Sequence, residues 1–128
     1  MDCLFCKIIN NEIPSYTVFE DDIVKVILDI NPSTNGDCLI IPKTHYINIL
    51  DIDELVLNHI NKIAKELYLK LQKKLNCDGL TIVINNNYGQ DIKHFHMHLT
   101  PRYKNDELVH NFNKDLLKPL IDINNILN

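Results

Sequence analysis

Three histidines alternate with apolar residues in one short segment, His94–Thr100, which reads HFHMHLT. Successive side chains of a β-strand point to opposite faces, so this spacing predicts that His94, His96 and His98 share one face. The apolar residues between them share the other face, where they can pack against a helix. Alternate residues of a strand lie about 6.6 Å apart. The segment therefore predicts a row of imidazoles along one side of a strand.

Three kinds of chemistry fit such a row. It could be a polar solvent face, although histidine makes up only 6 of 128 residues and three at alternate positions are unexpected by chance. It could be a catalytic zinc site, in which two of the imidazoles and a third ligand leave one coordination position open. It could carry out covalent catalysis, in which a neutral imidazole attacks phosphorus while its neighbours orient it and handle protons.

Two cysteines near the amino terminus, Cys3 and Cys6, form a Cys-x-x-Cys motif. No second pair lies at zinc-ribbon spacing, so the motif alone is a weak sign of a metal site. A redox motif of this kind is expected after a strand and at the start of a helix, a context that the first residues do not suggest. The remaining interpretation of the motif is that Cys3 and Cys6 are two thiols with no joint role. We expect Cys38 and Cys77 to be buried apolar fillers.

The composition is that of one globular domain, residues 1–128, with a mass of 14.9 kDa. The net charge of −4 argues against a nucleic-acid partner recruited by bulk positive charge. The first residues lack the pattern of a signal peptide, and no apolar run reaches the length of a membrane span. These features predict a cytoplasmic protein with reduced thiols.

Five segments have strand character and one long segment has helical periodicity. The expected strands are 16–20, 23–28, 38–41, 80–84 and 94–100. Apolar residues recur at three- and four-residue spacing from Asp51 to Asn76, where Asp51 and Glu54 resemble a capping box and Gly79 follows as a stop. Residues 113–127 predict a short carboxy-terminal helix. The fold class expected is α+β, with a five-stranded, mostly antiparallel sheet.

The segment His94–Thr100 resembles the signature of the histidine triad (HIT) family. Other segments resemble that family in the expected order, and the resemblance covers about residues 3–102, leaving 103–128 as a tail. These segments read CLFCKII and EIP near the amino terminus, LDINP at 28–32, LIIPKTH at 39–45 and GQDI at 89–92. The resemblance implies a HIT-like fold.

It also implies an enzyme, a hydrolase or transferase that cleaves the α-phosphate bond of purine nucleoside phosphoramidates or related AMP-X compounds. In such an enzyme His96 is the nucleophile and forms a nucleotidyl-histidine, while His98 contacts the phosphate and His94 supports His96. The remaining roles implied are phosphate or leaving-group donors at Gln90 and Asn85, a ribose acceptor at Asp29, and base-pocket walls at Phe5, Ile8 and Ile30.

Bacterial members of the branch that this sequence resembles bind a structural zinc ion through a cysteine pair and two histidines. The matching residues are Cys3, Cys6, His45 and His94. Such a set closes a tetrahedral site and leaves no open position for catalysis. The resemblance also implies a homodimer formed through the long helix and a neighbouring strand. The long helix carries a second stripe of apolar residues, which could face a partner subunit. The same stripe could instead be buried within the monomer.

Three positions depart from the family pattern. Asp37 stands where close relatives carry a histidine that joins the triad network, Thr100 replaces an apolar residue, and Asp91 replaces a frequent serine. A carboxylate at 91 facing the leaving group would disfavour anionic leaving groups. Two alternatives to the phosphoramidase remain: a dinucleoside polyphosphate hydrolase of the same family, and a non-catalytic nucleotide-binding protein, which only Asp37 favours. His59 and His110 are expected on the surface.

Overall fold

The computed structural model describes residues 2–128. Their order is α1 (Leu4–Ile9), β1 (Thr17–Glu20), β2 (Val24–Leu28), β3 (Cys38–Pro42), α2 (Glu54–Leu75), β4 (Gly79–Ile84), β5 (Met97–Arg102) and α3 (Leu120–Leu127), with a 3₁₀ turn at Lys114–Leu116. The five strands form one sheet in the order β1-β2-β3-β5-β4, and every neighbouring pair is antiparallel. The expected α+β class, the five-stranded sheet, the long helix and the short carboxy-terminal helix are confirmed.

The long helix starts later than its apolar pattern suggests. Asp53 is its N-cap and accepts hydrogen bonds from the backbone N–H groups of Leu55 (2.7 Å) and Val56 (3.3 Å). The predicted capping box from Asp51 is wrong, because the Asp51 carboxylate instead accepts from Ile47 and Asn48 in the preceding turn. The helix ends at Leu75, within one residue of the predicted end at Asn76, and Asn76 caps it in the left-handed conformation (φ 55°).

The histidine-bearing strand also differs from its prediction. β5 begins at Met97, so His94 and His96 lie just before it rather than inside it. Met97 is the first residue of β5 that pairs with the neighbouring strands, with Ile40 on β3 and with Ile84 on β4. The other four strands lie within a residue or two of the expected bounds.

The sheet has two different faces. On one face α2 buries its apolar stripe against Met97 and Leu99 of β5 and against Phe95, which lies just before that strand. On the opposite face the short helix α1, which the sequence interpretation did not include, packs Phe5 and Ile8 against a smaller cluster. The strand residues of that cluster are Ile27, Leu39 and Ile41. Because Leu39 is the cross-strand partner of His98, the histidines share the face that α1 covers in part.

The chain beyond β5 makes few contacts with the sheet. Arg102 pairs with Asp106 (2.7 Å), and from Glu107 onward the side chains are exposed, including those of α3. Among residues 2–128 no helix is both long and apolar enough to cross a membrane. Cys38 and Cys77 are buried free thiols, as expected.

Candidate active site and metal centre

The imidazoles of His96 and His98 are closer to each other than strand spacing alone would give. The ring centroids of His96 and His98 are 4.9 Å apart, and His94 is fully buried behind them. The edge of Phe5, from α1, packs on His96 with a centroid distance of 4.9 Å. The predicted sharing of one face by the three histidines is therefore present, with α1 holding the middle ring in position.

Two backbone carbonyls select the tautomers of the buried histidines. The Nε2–H of His94 donates to the carbonyl of Pro42 (2.8 Å), and the Nδ1–H of His96 donates to the carbonyl of His94 (2.8 Å). His94 therefore presents an Nδ1 lone pair, and His96 presents an Nε2 lone pair. Burial lowers the pKa of His94 to about 4 and also lowers the pKa of His96, which keeps both rings neutral.

A cleft of about 380 Å³ opens beside the His96 and His98 rings, between α1, the end of β2 and the loop after β4. This volume lies in the range of small-molecule sites. Most of the residues predicted to act on a nucleotide line it: Phe5, Ile8, Asp29, Ile30, Asn85, His96 and His98. Their roles toward a ligand stay predictions.

Gln90 does not line the cleft with these residues. Its side chain is buried, its Oε1 accepts from the backbone N–H of Asn87 (3.1 Å), and its Nε2 donates to the carbonyl of Ile47 (2.7 Å). It therefore fastens the loop that carries Asn85 to the segment before α2. Asp91, in contrast, is exposed and lines the cleft.

The four predicted zinc ligands lie together, and one of them, His94, is also the first histidine of the triad. One ligand atom from each of Cys3, Cys6, His45 and His94 can be chosen so that all lie within 4.8 Å of one another. Three sulfur–nitrogen distances are recorded: Cys3 Sγ to His94 Nδ1 3.4 Å, Cys6 Sγ to His45 Nδ1 3.3 Å, and Cys6 Sγ to His94 Nδ1 3.6 Å. A tetrahedral ion with Zn–S and Zn–N bonds of about 2.3 and 2.05 Å has an S–N edge of about 3.6 Å. The donor set and its spacing therefore fit zinc.

Local structure explains how the cysteines reach this position. Cys3 is the N-cap of α1, and its Sγ accepts from the backbone N–H of Cys6 (3.4 Å). Both thiols thus sit at the first turn of the helix. Burial, followed by the neighbouring Cys3 thiol, raises the pKa of Cys6 to about 11, so this thiol is protonated when no cation is present.

Sequence reasoning missed contributions that come from the backbone. The Pro42 carbonyl sets the His94 tautomer, but a backbone acceptor cannot be recognised from residue types. The helix α1 could have been predicted, because Phe5 and Ile8 are spaced by three residues, as on one face of a helix. His59, expected on the surface, keeps 24% of its side chain exposed, and its Nε2 bonds the Asp21 carboxylate (2.7 Å), tying α2 to the β1–β2 turn. His110 is exposed, as expected.

Comparison with known sequences gives a consistent result. The family model described as the HIT domain matches residues 10–105. A HIT-like protein of Borreliella burgdorferi, described as uncharacterized, is 44% identical over 82% of this chain and 78% of its own length. The adenosine 5'-monophosphoramidase of Saccharomyces cerevisiae is 39% identical over 78% of this chain and 62% of its own. An adenylylsulfatase of Arabidopsis thaliana is 36% identical over 82% of this chain and 54% of its own.

Solved structures agree with the sequence comparison. A HIT family protein of Bacillus anthracis superposes with a TM-score of 0.85 at 31% identity, covering 98% of this chain and 92% of that one. A zinc-bound histidine triad family protein of Mycobacterium smegmatis superposes with a TM-score of 0.82 at 31% identity, covering 90% and 85%. With the triad row, the cleft and the Cys₂His₂ cluster, these matches establish that the chain belongs to the HIT domain family.

Proposed function

We propose that this protein is a nucleotide hydrolase that cleaves the α-phosphate bond of purine nucleoside phosphoramidates or related AMP-X compounds. The observation that carries the proposal is the hydrogen bond from His96 Nδ1 to the His94 carbonyl, which leaves Nε2 as the free lone pair of a ring that lines the cleft. The names of two relatives, an adenosine monophosphoramidase and an adenylylsulfatase, support cleavage at an adenylyl phosphorus.

The reaction has two steps. The His96 Nε2 lone pair forms a bond to the α-phosphorus, and the bond to the leaving amine breaks with its electron pair going to nitrogen, which takes up a proton. Water then attacks the nucleotidyl-histidine, releases the nucleoside monophosphate and restores the neutral imidazole. The edge contact from Phe5 and the Nδ1 hydrogen bond hold the ring, so little reorientation precedes the attack.

The remaining cleft residues recognise the nucleotide. The Asp29 carboxylate accepts from the backbone N–H of Asn31 through Oδ1 (2.9 Å), which leaves Oδ2 for ribose hydroxyls. Phe5, Ile8 and Ile30 provide apolar walls for a purine base. His98 and Asn85 are donors to the phosphate, so an imidazole and an amide take the place of lysine or arginine in a chain whose net charge is −4. Gln90 acts by holding the Asn85 loop.

The position of Asp91 supports phosphoramidase activity rather than dinucleoside polyphosphate hydrolysis. Its exposed carboxylate lines the same cleft as the His96 ring. An amine leaves without negative charge, whereas a nucleotide leaving group carries several negative charges that a carboxylate repels. A higher kcat/KM for an adenosine phosphoramidate than for a dinucleoside polyphosphate is therefore expected.

We further propose that Cys3, Cys6, His45 and His94 hold one structural zinc ion. When bound, the ion would join the start of α1, which supplies Cys3 and Cys6, to His45 after β3 and to His94 before β5, and it would take no part in the reaction. The His94 hydrogen bond to Pro42 orients that ring as a ligand, as is common for metal-binding histidines.

We propose a homodimer as the assembly. β4 is an edge strand of the sheet, with Ile82 51% and Val83 38% exposed. The helix α2 exposes Leu55 and Leu69 as well. Pairing two β4 edges would satisfy their free backbone groups and would cover these apolar side chains.

The test is the substitution His96→Ala, assayed with a fluorogenic adenosine phosphoramidate and by calorimetric binding of AMP. We expect kcat to fall by at least about 10⁴-fold, because a nucleophile is removed, while the Kd for AMP changes by less than about fivefold. His98→Ala should cost less in kcat, and the exposed His110→Ala is the matched control with no effect. Acid-labile label from substrate should be trapped on His96 of the wild type.

Near wild-type kcat in His96→Ala, or label on another residue, would refute the covalent mechanism. AMP binding by a wild-type protein that hydrolyses no adenylyl compound would favour the non-catalytic alternative.

A further inference from the structure

Two of the departures from the family pattern contact each other. The Thr100 hydroxyl donates to Asp37 Oδ1 (3.0 Å), and the second oxygen, Oδ2, accepts from the backbone N–H of Ser33 (2.9 Å). Asp37 is only 4% exposed. Both carboxylate oxygens are therefore satisfied by neutral donors, one on β5 and one in the loop between β2 and β3, which we call the 29–37 loop.

Thr100 continues the histidine row. On β5 it lies two residues beyond His98, so its side chain is on the face that carries the triad. Its partner Asp37 directly precedes β3, whose first residue, Cys38, pairs with Leu99. On this face of the sheet, the Asp37–Thr100 contact therefore comes directly after the Leu39–His98 pair.

The backbone of Asp37 bonds the same loop at two further points. Its carbonyl accepts from the N–H of Asp29 (2.9 Å), and its own N–H donates to the carbonyl of Thr34 (3.2 Å). With the bond to Ser33, one buried residue holds three points of the 29–37 loop. The loop in turn carries Asp29 and Ile30 into the nucleotide cleft.

We propose that Asp37 and Thr100 act together as positioning residues that set the Asp29 carboxylate against the ribose of the nucleotide. This inference rests on the proposed function, because Asp29 is taken as the ribose acceptor. Neither residue of the pair lines the nucleotide cleft itself. Loss of the pair therefore affects selectivity for the sugar before it affects the chemical step.

The experiment compares the affinities for AMP and 2'-deoxy-AMP by calorimetry, in the full-length protein. The wild type should prefer AMP by about tenfold, since a hydrogen bond to a charged group is lost with the 2'-hydroxyl. Asp37→Ala should bring this ratio close to one, and Thr100→Val should reduce it by about threefold. The double variant should equal Asp37→Ala alone, because the two residues form one unit.

Thr81→Val is the matched control. Thr81 is the register partner of Thr100 on β4, but its hydroxyl bonds Arg102 (3.2 Å) and not the loop. It should leave the AMP to deoxy-AMP ratio unchanged. With a phosphoramidate substrate, Asp37→Ala and Thr100→Val should raise KM while kcat changes by less than about threefold, a split that a general loss of stability would not produce.

The outcomes separate the two proposals. A wild-type protein that binds neither nucleotide overturns the proposed function and this inference with it. If the wild type discriminates between the sugars and Thr100→Val, folded by circular dichroism, discriminates equally well, the positioning role is wrong and the proposed function stands. Thr100→Val serves as the deciding variant if Asp37→Ala fails to fold.

Discussion

Replacing both Cys3 and Cys6 by serine should abolish zinc binding and lower thermal stability by a calculable amount. The three sulfur–nitrogen distances of 3.3–3.6 Å already match the edges of a zinc tetrahedron, so little binding energy is lost in rearranging the ligands. At a free zinc concentration about 1,000 times Kd, binding to the native state contributes about 4.1 kcal/mol to the free energy of unfolding.

That free energy converts to a shift in Tm. An unfolding entropy of about 2.1 cal/mol/K per residue gives about 0.27 kcal/mol/K for 128 residues. Loss of 4.1 kcal/mol should therefore lower Tm by about 15 °C. Because α1 carries both cysteines as well as Phe5 and Ile8, the same change should weaken AMP binding.

The assay is thermal unfolding, followed by circular dichroism, with added zinc and with excess chelator, together with elemental analysis of the purified protein. The wild type should contain about one zinc per chain and should lose about 15 °C in chelator, whereas Cys3→Ser/Cys6→Ser should have the same low Tm in both conditions. Cys77→Ser, a buried thiol outside the cluster, controls for loss of a sulfur and should keep the zinc-dependent shift. If the wild type is purified without metal and its Tm is the same with zinc and with chelator, the cluster does not bind the ion.

The other predictions concern a turn and the assembly. A Cβ added at Gly36 (φ 94°) would lie 2.6 Å from Leu75 Cδ1, so Gly36→Ala should lower the free energy of unfolding by about 3 kcal/mol in urea denaturation. Gly89→Ala shares the positive φ (89°) but meets nothing within 4 Å, and should cost only about 1 kcal/mol; equal costs would contradict the steric argument. Sedimentation at micromolar concentration should give twice 14.9 kDa, and Ile82→Lys at the β4 edge should shift it to the monomer mass. A wild type that sediments as a monomer would refute the dimer.

Local pattern was sufficient for the five strands, for α2, for the carboxy-terminal helix and for the alternation of the histidine row, although not for α1. The alternation at His94–Thr100 depends only on the two-residue period of an extended chain, which persists even where strand pairing stops at Met97. The apolar period of α2 similarly depends on helix geometry, and only its first residues were misassigned. There two aspartates, Asp51 and Asp53, are equally good caps by residue type, and the packing of the turn before the helix decided between them.

Contacts between distant parts of the chain could not be obtained in this way. Cys3 and His94 are 91 residues apart in sequence, and their 3.4 Å approach depends on α1 packing on the sheet. The tautomer of His94 depends on the carbonyl of Pro42, and the anchoring of the 29–37 loop depends on the pair formed by Asp37 and Thr100. Residue types and short spacings identified which groups could react, because those follow from covalent chemistry and local geometry. The tertiary structure alone decided which lone pair of His94 is free, because the Pro42 carbonyl that accepts its proton is 52 residues away in sequence.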